Sequence, residues 1–169
     1  MDFRSELTAQ VPYLRRFARA LAGDAALADD LVQDCVERAL RKQHLFDETR
    51  SLRTWLFTIL RNLFVSGLRR NGRTSTVKSV DDIQAGEDAV RPEQESRLAL
   101  SDIVMALDRL PTTHREVLLL VALEDMSYRE IAEVTGVPVG TVMSRLSRAR
   151  LSLRAILEEG ENTGLRRIK

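Results

Sequence analysis

The sequence predicts an all-α protein of two small helical domains joined by a flexible linker, the second domain ending in a helix-turn-helix. Three observations carry this. Apolar residues recur at three- and four-residue steps over most of the 169 residues, with no strand signal and no internal repeat. That period lapses once, between Gly72 and Glu95. Downstream, from Met126 to Arg154, two short helical patterns meet at a glycine. The boundaries follow as 1–71 for the first domain, 72–95 for the linker, 96–158 for the second domain and 159–169 for a fraying tail.

The first helix spans residues 3 to 22, with Phe3, Leu7, Val11, Leu14, Phe17, Ala18 and Leu21 on one face and Arg15, Arg16 and Arg19 on the other. Pro12 removes a backbone donor from its middle and predicts a kink or a restart. Gly23-Asp24 closes it. The second helix, Ala25 to Arg41, turns Leu27, Leu31, Cys35, Ala39 and Leu40 inward and leaves Asp29, Asp30, Gln33, Asp34 and Glu37 as an acidic outer face. Such a face is commonly just solvated, and it also suits a basic partner. The loop KQHLFDETRS brings His44, Phe46 and Asp47 before a third helix, Leu52 to Arg70. Its stripe is Trp55, Leu56, Ile59, Leu63 and Phe64, with Arg53, Arg61, Arg69 and Arg70 projecting. Gly67, at about 1 kcal/mol against alanine, predicts fraying after Ser66. Arginines beside aromatics suit bases unstacked from a strand, although core packing is the preferred reading of Trp55.

From Gly72 to Glu95 three basic residues (Arg73, Lys78, Arg91) face six acidic ones (Asp81, Asp82, Glu87, Asp88, Glu93, Glu95), without an apolar pattern. Helix returns over Ser96 to Leu110 with Leu98, Leu100, Ile103, Val104, Leu107 and Leu110, and Pro111 ends it. Thr112 or Thr113 is placed to cap the next helix, HREVLLLVALED, which is apolar on most sides and forms the centre of the second core. Ser127 and Glu130 then have capping-box spacing, so each satisfies an orphan donor of the other's turn. Gly136 suits the left-handed residue that ends that helix, and Pro138 suits the start of the next. Val139, Val142, Leu146, Ala149 and Leu153 form the buried stripe of this last helix. Ser144, Ser147, Arg148 and Arg150 lie away from it, on a face that would enter the major groove.

Composition excludes several function classes. Net charge is only +1, so any nucleic-acid surface comes from local segregation of charge. Cys35 is the one cysteine; it rules out an internal disulfide, suits a reducing cytoplasm and reads as a small buried hydrophobe. No apolar run approaches the roughly 18–20 residues that span a bilayer, and MDFRSELTAQ lacks the pattern of a signal peptide. A cytoplasmic protein without membrane insertion is the expectation. His44 and His114 lack metal-ligand spacing, and there is neither a Gly-rich phosphate loop nor a nucleophile elbow. No enzyme activity, no metal and no cofactor are expected.

Two blocks together resemble one family. ADDLVQDCVERAL with RTWLFTILRNLFVSGLRR is similar to region two of the bacterial sigma factors. LPTTHREVLLLVALEDMSYREIAEVTGVPVGTVMSRLSRARLSLR is similar to their region four. The short length, with a linker where larger members carry another domain, resembles the extracytoplasmic-function group of the sigma-70 family. The resemblance implies a subunit that binds core RNA polymerase, through its β and β′ subunits, and directs promoter-specific initiation. It implies region two melting and capturing the −10 element, and region four reading the −35 duplex. By position, Asp30, Gln33, Asp34 and Glu37 would dock the polymerase clamp helices. The loop with His44, Phe46 and Asp47 would hold a flipped base, Asn62 would read a base edge, and Arg61, Ser66, Arg69 and Arg70 would serve the −10 strand. Thr141, Met143, Ser144, Arg145, Ser147, Arg148 and Arg150 fall on the −35 surface, and Arg129 has a phosphate role and a solvated role equally open to it. For Arg145, DNA contact and an internal pair with Glu130 or Glu133 are both open. Met143 stands where lysine or arginine is common, and Ser66-Gly67 where an acidic then aromatic pair is common. An anti-sigma partner, and a monomer when free, are further implications; the acidic linker would mimic RNA in a polymerase channel or simply be solvated. A free-standing helix-turn-helix regulator is the principal alternative, and a helical adaptor for protein contacts is the third.

Overall fold

The computed structural model describes residues 2–71 and 94–166. The linker's residues 72–93 and the last three residues of the tail lie outside the described residues, as do the side chains of Leu98 and Leu100. The described residues form seven α-helices and one 3₁₀ turn, with no strand among them.

Helix α1 (Phe3–Ala22) starts at Asp2, whose carboxylate accepts the Arg4 N–H, and ends at Gly23 with φ +66°. It runs unbroken through Pro12, so it does not restart there. Leu7 before the proline and Leu14 and Phe17 after it are buried in one core, which offsets a single missing backbone bond. Helix α2 (Ala25–Arg41) is capped by Asp24, which accepts the Leu27 N–H at 2.9 Å. Its buried line is Ala28, Leu31, Val32, Cys35 and Ala39. Leu27 and Leu40, expected inside, are 42% and 39% exposed, because the small Ala28 and Ala39 set the contact face. The 3₁₀ turn (Gln43–Leu45) leads to helix α3 (Leu52–Asn71). Gly67 does not fray it: a Cβ there would meet nothing within 4 Å, while Phe64 and Leu68 on either side pack into the core. Phe17 of α1 and Phe57 of α3 lock the three helices with ring centroids 5.3 Å apart.

The second block comprises α4 (Gln94–Asp108), α5 (Thr112–Ala122), α6 (Tyr128–Thr135) and α7 (Val139–Arg166). Neither Thr112 nor Thr113 caps α5; Pro111 holds the N-cap without a side-chain bond, and its carbonyl accepts the N–H groups of His114 and Arg115. The capping box of α6 forms as the sequence predicts, and Gly136 ends that helix at φ +70°. Pro138 stands just before α7, its carbonyl accepting the Thr141 and Val142 N–H groups. The expected fraying after Leu157 does not occur, since α7 continues to Arg166. Helix α7 packs on α4, and Arg109, just after α4, pairs with Glu159 at 3.3 Å.

The two blocks are packed together. Helix α1 lies on α5 and α3 lies on α6, and buried side chains of both blocks belong to one continuous apolar cluster. Buried Arg115 of α5 reaches across to donate to the Leu21 carbonyl, one of the last acceptors of α1, which the helix itself cannot satisfy. The same guanidinium pairs with Asp108 at 2.9 Å. Burial still holds the Asp108 carboxyl above its ordinary value and the Arg115 guanidinium below its own, each partly offset by the other.

Candidate nucleic-acid interface

The site is built on a seam of buried charge. Helix α5 carries Glu116, and the turn after it carries Glu124; both are essentially without solvent contact, at 0% and 1% exposed. A buried carboxylate demands cationic partners, and each has two. Glu124 accepts from Arg16 of α1, Nε at 3.1 Å and Nη2 at 3.0 Å, and from Arg53 of α3 at 3.0 Å. Both arginines also donate to backbone carbonyls, Arg16 to that of Leu123 and Arg53 to that of Glu124. Glu116 accepts both arms of Arg61 from α3, Nε on Oε2 at 3.0 Å and Nη2 on Oε1 at 3.2 Å. Arg145 of α7 approaches the same Oε1 only to 3.7 Å, and its buried Nη1 makes no hydrogen bond.

Around this seam lie three exposed surfaces. On α2, Asp30, Gln33, Asp34 and Glu37 are all exposed on one side; Gln33 donates to Glu37 at 3.1 Å and Arg41 sits 3.7 Å from Glu37. The second surface is the loop before α3. Phe46, half-buried, rests on Trp55 at 5.2 Å and on Phe3 at 5.9 Å between ring centroids. A cavity of about 250 Å³ opens there, lined by Phe46, Asp47, Arg50, Thr54 and Trp55 among others, with Glu133 of α6 on its far side. Asp47 is shaped by the chain: Thr49 donates to it from its hydroxyl at 2.7 Å and its N–H at 3.0 Å, holding its carboxyl below the ordinary range. His44 lines a separate cavity on the other side of Phe46. Asn62, Ser66, Arg69 and Arg70 are exposed along α3 beyond the cavity. Arg61 does not share their exposure, because Glu116 draws it inward to 18% side-chain exposure.

The third surface is the helix-turn-helix. Val142, Leu146 and Ala149 are buried and anchor α7, which leaves Met143, Ser144, Ser147, Arg148 and Arg150 outside, with Thr141 half-buried. Arg129 on α6 is exposed. Ser127 donates from its backbone N–H and its hydroxyl to Glu130, both at 2.8 Å, and these bonds hold the Glu130 carboxyl below its usual value. Glu130 is thereby occupied, and Arg145 pairs with Glu116, neither with Glu130 nor with Glu133. Sequence reasoning missed Glu116, Glu124 and the roles of Arg16, Arg53 and Arg115. A signal was present: Glu116 and Glu124 bracket VLLLVAL, so a helix apolar on most sides had to bury an acid.

A helix-turn-helix with exposed arginines, beside an aromatic cavity and an amide-bearing helix, is an arrangement suited to binding DNA. Comparison with known proteins agrees. Residues 7–61 match the family model described as the sigma2 domain of PhyR, and residues 100–153 match sigma-70 region 4. The ECF RNA polymerase sigma factor EcfG of Rhodopseudomonas palustris is 43% identical over 156 residues, covering 92% of this chain and 85% of that protein. Among solved structures, the sigma factor RpoE from Bartonella quintana, in complex with the anti-sigma factor NepR, superposes with a TM-score of 0.76. Identity is 39%, over 93% of this chain and 97% of the other. CnrH, in complex with the cytosolic domain of CnrY, gives a TM-score of 0.67 at 30% identity, over 93% and 88% of the two chains. The chain belongs to the extracytoplasmic-function sigma factors of RNA polymerase, and so is an alternative sigma factor directing transcription initiation.

Proposed function

We propose that the three exposed surfaces divide the work of initiation. The acidic face of α2, through Asp30, Gln33, Asp34 and Glu37, docks on core polymerase, where a basic coiled coil of the clamp would complement it. The cavity beside Phe46 and Trp55 takes a base flipped from the −10 strand, with Asn62 reading a base edge and Ser66, Arg69 and Arg70 along the strand. An arginine fork and a hydroxyl four residues apart, Arg148 and Ser144, enter the −35 major groove, with Arg150 and Arg129 on phosphates. The chain performs no chemistry itself and works in the cytoplasm. It is a monomer when free and is held by an anti-sigma protein, as RpoE is by NepR. The observation that carries this reading is the coexistence on one chain of a helix-turn-helix with exposed arginines and an aromatic-lined cavity large enough for a base. The alternative of a free-standing regulator has no use for that cavity.

Two variants test the division. Arg148→Ala should lower transcription from cognate −35 sequences by roughly tenfold, the scale of one bidentate guanine contact, while leaving core binding intact. Asp30→Arg with Asp34→Arg should do the reverse, weakening core binding first. Equal losses in both assays by either variant would contradict the assignment.

A further inference from the structure

Glu116 joins the two DNA-reading blocks through one carboxylate. Arg61, aligned with the −10 surface, makes a two-armed contact with it, the geometry a guanidinium offers a carboxylate or a phosphate alike. Arg145, in the −35 helix, waits at 3.7 Å with a buried donor unsatisfied. Glu133 of α6 also lines the cavity beside Phe46, a negative charge within the space assigned above to a flipped base. The packed arrangement is therefore closed to DNA at two points.

We propose that Glu116 is an internal stand-in for a DNA phosphate, and that opening of the two blocks is a partner exchange: Glu116 gives up Arg61 and takes Arg145. The exchange lowers the cost of opening. Glu124, with both its arginines in the first block, can only be rehydrated, whereas Glu116 keeps a partner because a second arginine of its own block is already placed to replace the first. On opening, Arg61 becomes free for the −10 strand and Glu133 leaves the cavity with α6. Arg145 then supports the recognition helix from behind as a positioning residue. The inference rests on the promoter-DNA reading above and adds its regulation: a ligand that binds only the open chain must first supply the opening free energy.

The test uses the full chain in two independent readouts, small-angle X-ray scattering without DNA and binding of a twenty-nucleotide thymidine strand. Glu116→Gln, with its fold checked by circular dichroism, should enlarge the radius of gyration and tighten strand binding by about fivefold or more. Arg61→Gln should also enlarge the chain, and in its background Glu116→Gln should give no further gain in strand binding. Arg145→Gln strands the carboxylate on opening, so it should weaken strand binding while the chain stays compact. A folded Glu116→Gln chain as compact as the parent overturns the proposal, as does an undiminished gain in the Arg61→Gln background. If Glu116→Gln does not fold, the Arg61→Gln radius and the Arg145→Gln affinity decide in the same sense. Expansion without any strand binding would keep the clasp and sink the DNA reading instead.

Discussion

Glu124 gives the sharpest energetic prediction. Its carboxylate has no side-chain exposure, and its two arginines differ, Arg16 at 43% and Arg53 at 31% side-chain exposure. Removing either one leaves the other on the carboxylate, so each single change forfeits charged hydrogen bonds worth about 1–2 kcal/mol. Arg53→Ala should lie at the upper end, since both arginines stack over Tyr13 but Arg53 is less exposed and also stacks over Phe57. Removing both leaves a buried charge with no partner, a loss of about 3–5 kcal/mol or more. The ceiling is the free energy that holds the blocks together, because separation rehydrates the carboxylate. The double variant should therefore also show a reduced urea m-value, its native state exposing more surface. The assay is a double-mutant cycle by urea denaturation at pH 7. A second removal costing more than the first is the expected signature. Strictly additive losses, each under about 0.5 kcal/mol, would place Glu124 among ordinary solvated pairs and refute the reasoning.

Two other sites give separate tests. Ser127 bonds hold the Glu130 carboxyl below its ordinary value, so its contribution is present above the unfolded carboxylate pKa of about 4.3 and is lost as pH falls through the folded value. Glu130→Ala should cost about 1 kcal/mol at pH 7, as for other lost caps, and should flatten the acid limb of the stability curve; an unchanged acid limb would contradict this. Burial pushes the Cys35 thiol up to about 12, and its Sγ donates to the Leu56 carbonyl at 3.4 Å. A chromogenic disulfide reagent at pH 8 should leave the native chain unlabelled and modify it promptly in denaturing urea; fast native labelling would show an open first block.

Local chemistry was well written in the sequence. Ser127, Glu130 and Gly136 specify their turn through bonds within a few residues, so spacing alone locates it. The same holds for Val142, Leu146 and Ala149 of α7, whose three- and four-residue steps need no knowledge of their partner, whereas Val139, expected in that stripe, is 40% exposed at the start of the helix. Where tertiary contact decides, the sequence was silent or misleading. Pro12 and Gly67 look like breaks only until neighbouring side chains are seen in a shared core. Residues 158–166 look like a tail, yet α7, which packs on α4, runs on through them. Arg61 illustrates the limit at the site: its position marks it for DNA, yet Glu116, 55 residues away, holds it. No periodicity encodes a bond across that distance.

Run-off transcription with purified core polymerase tests the central claim most directly. Adding the full chain to core polymerase and a promoter library should yield discrete products that are absent without it, and Arg148→Ala should narrow or shift the set of promoters used. A chain that folds as described but never associates with core polymerase, and leaves transcription unchanged, would contradict the account.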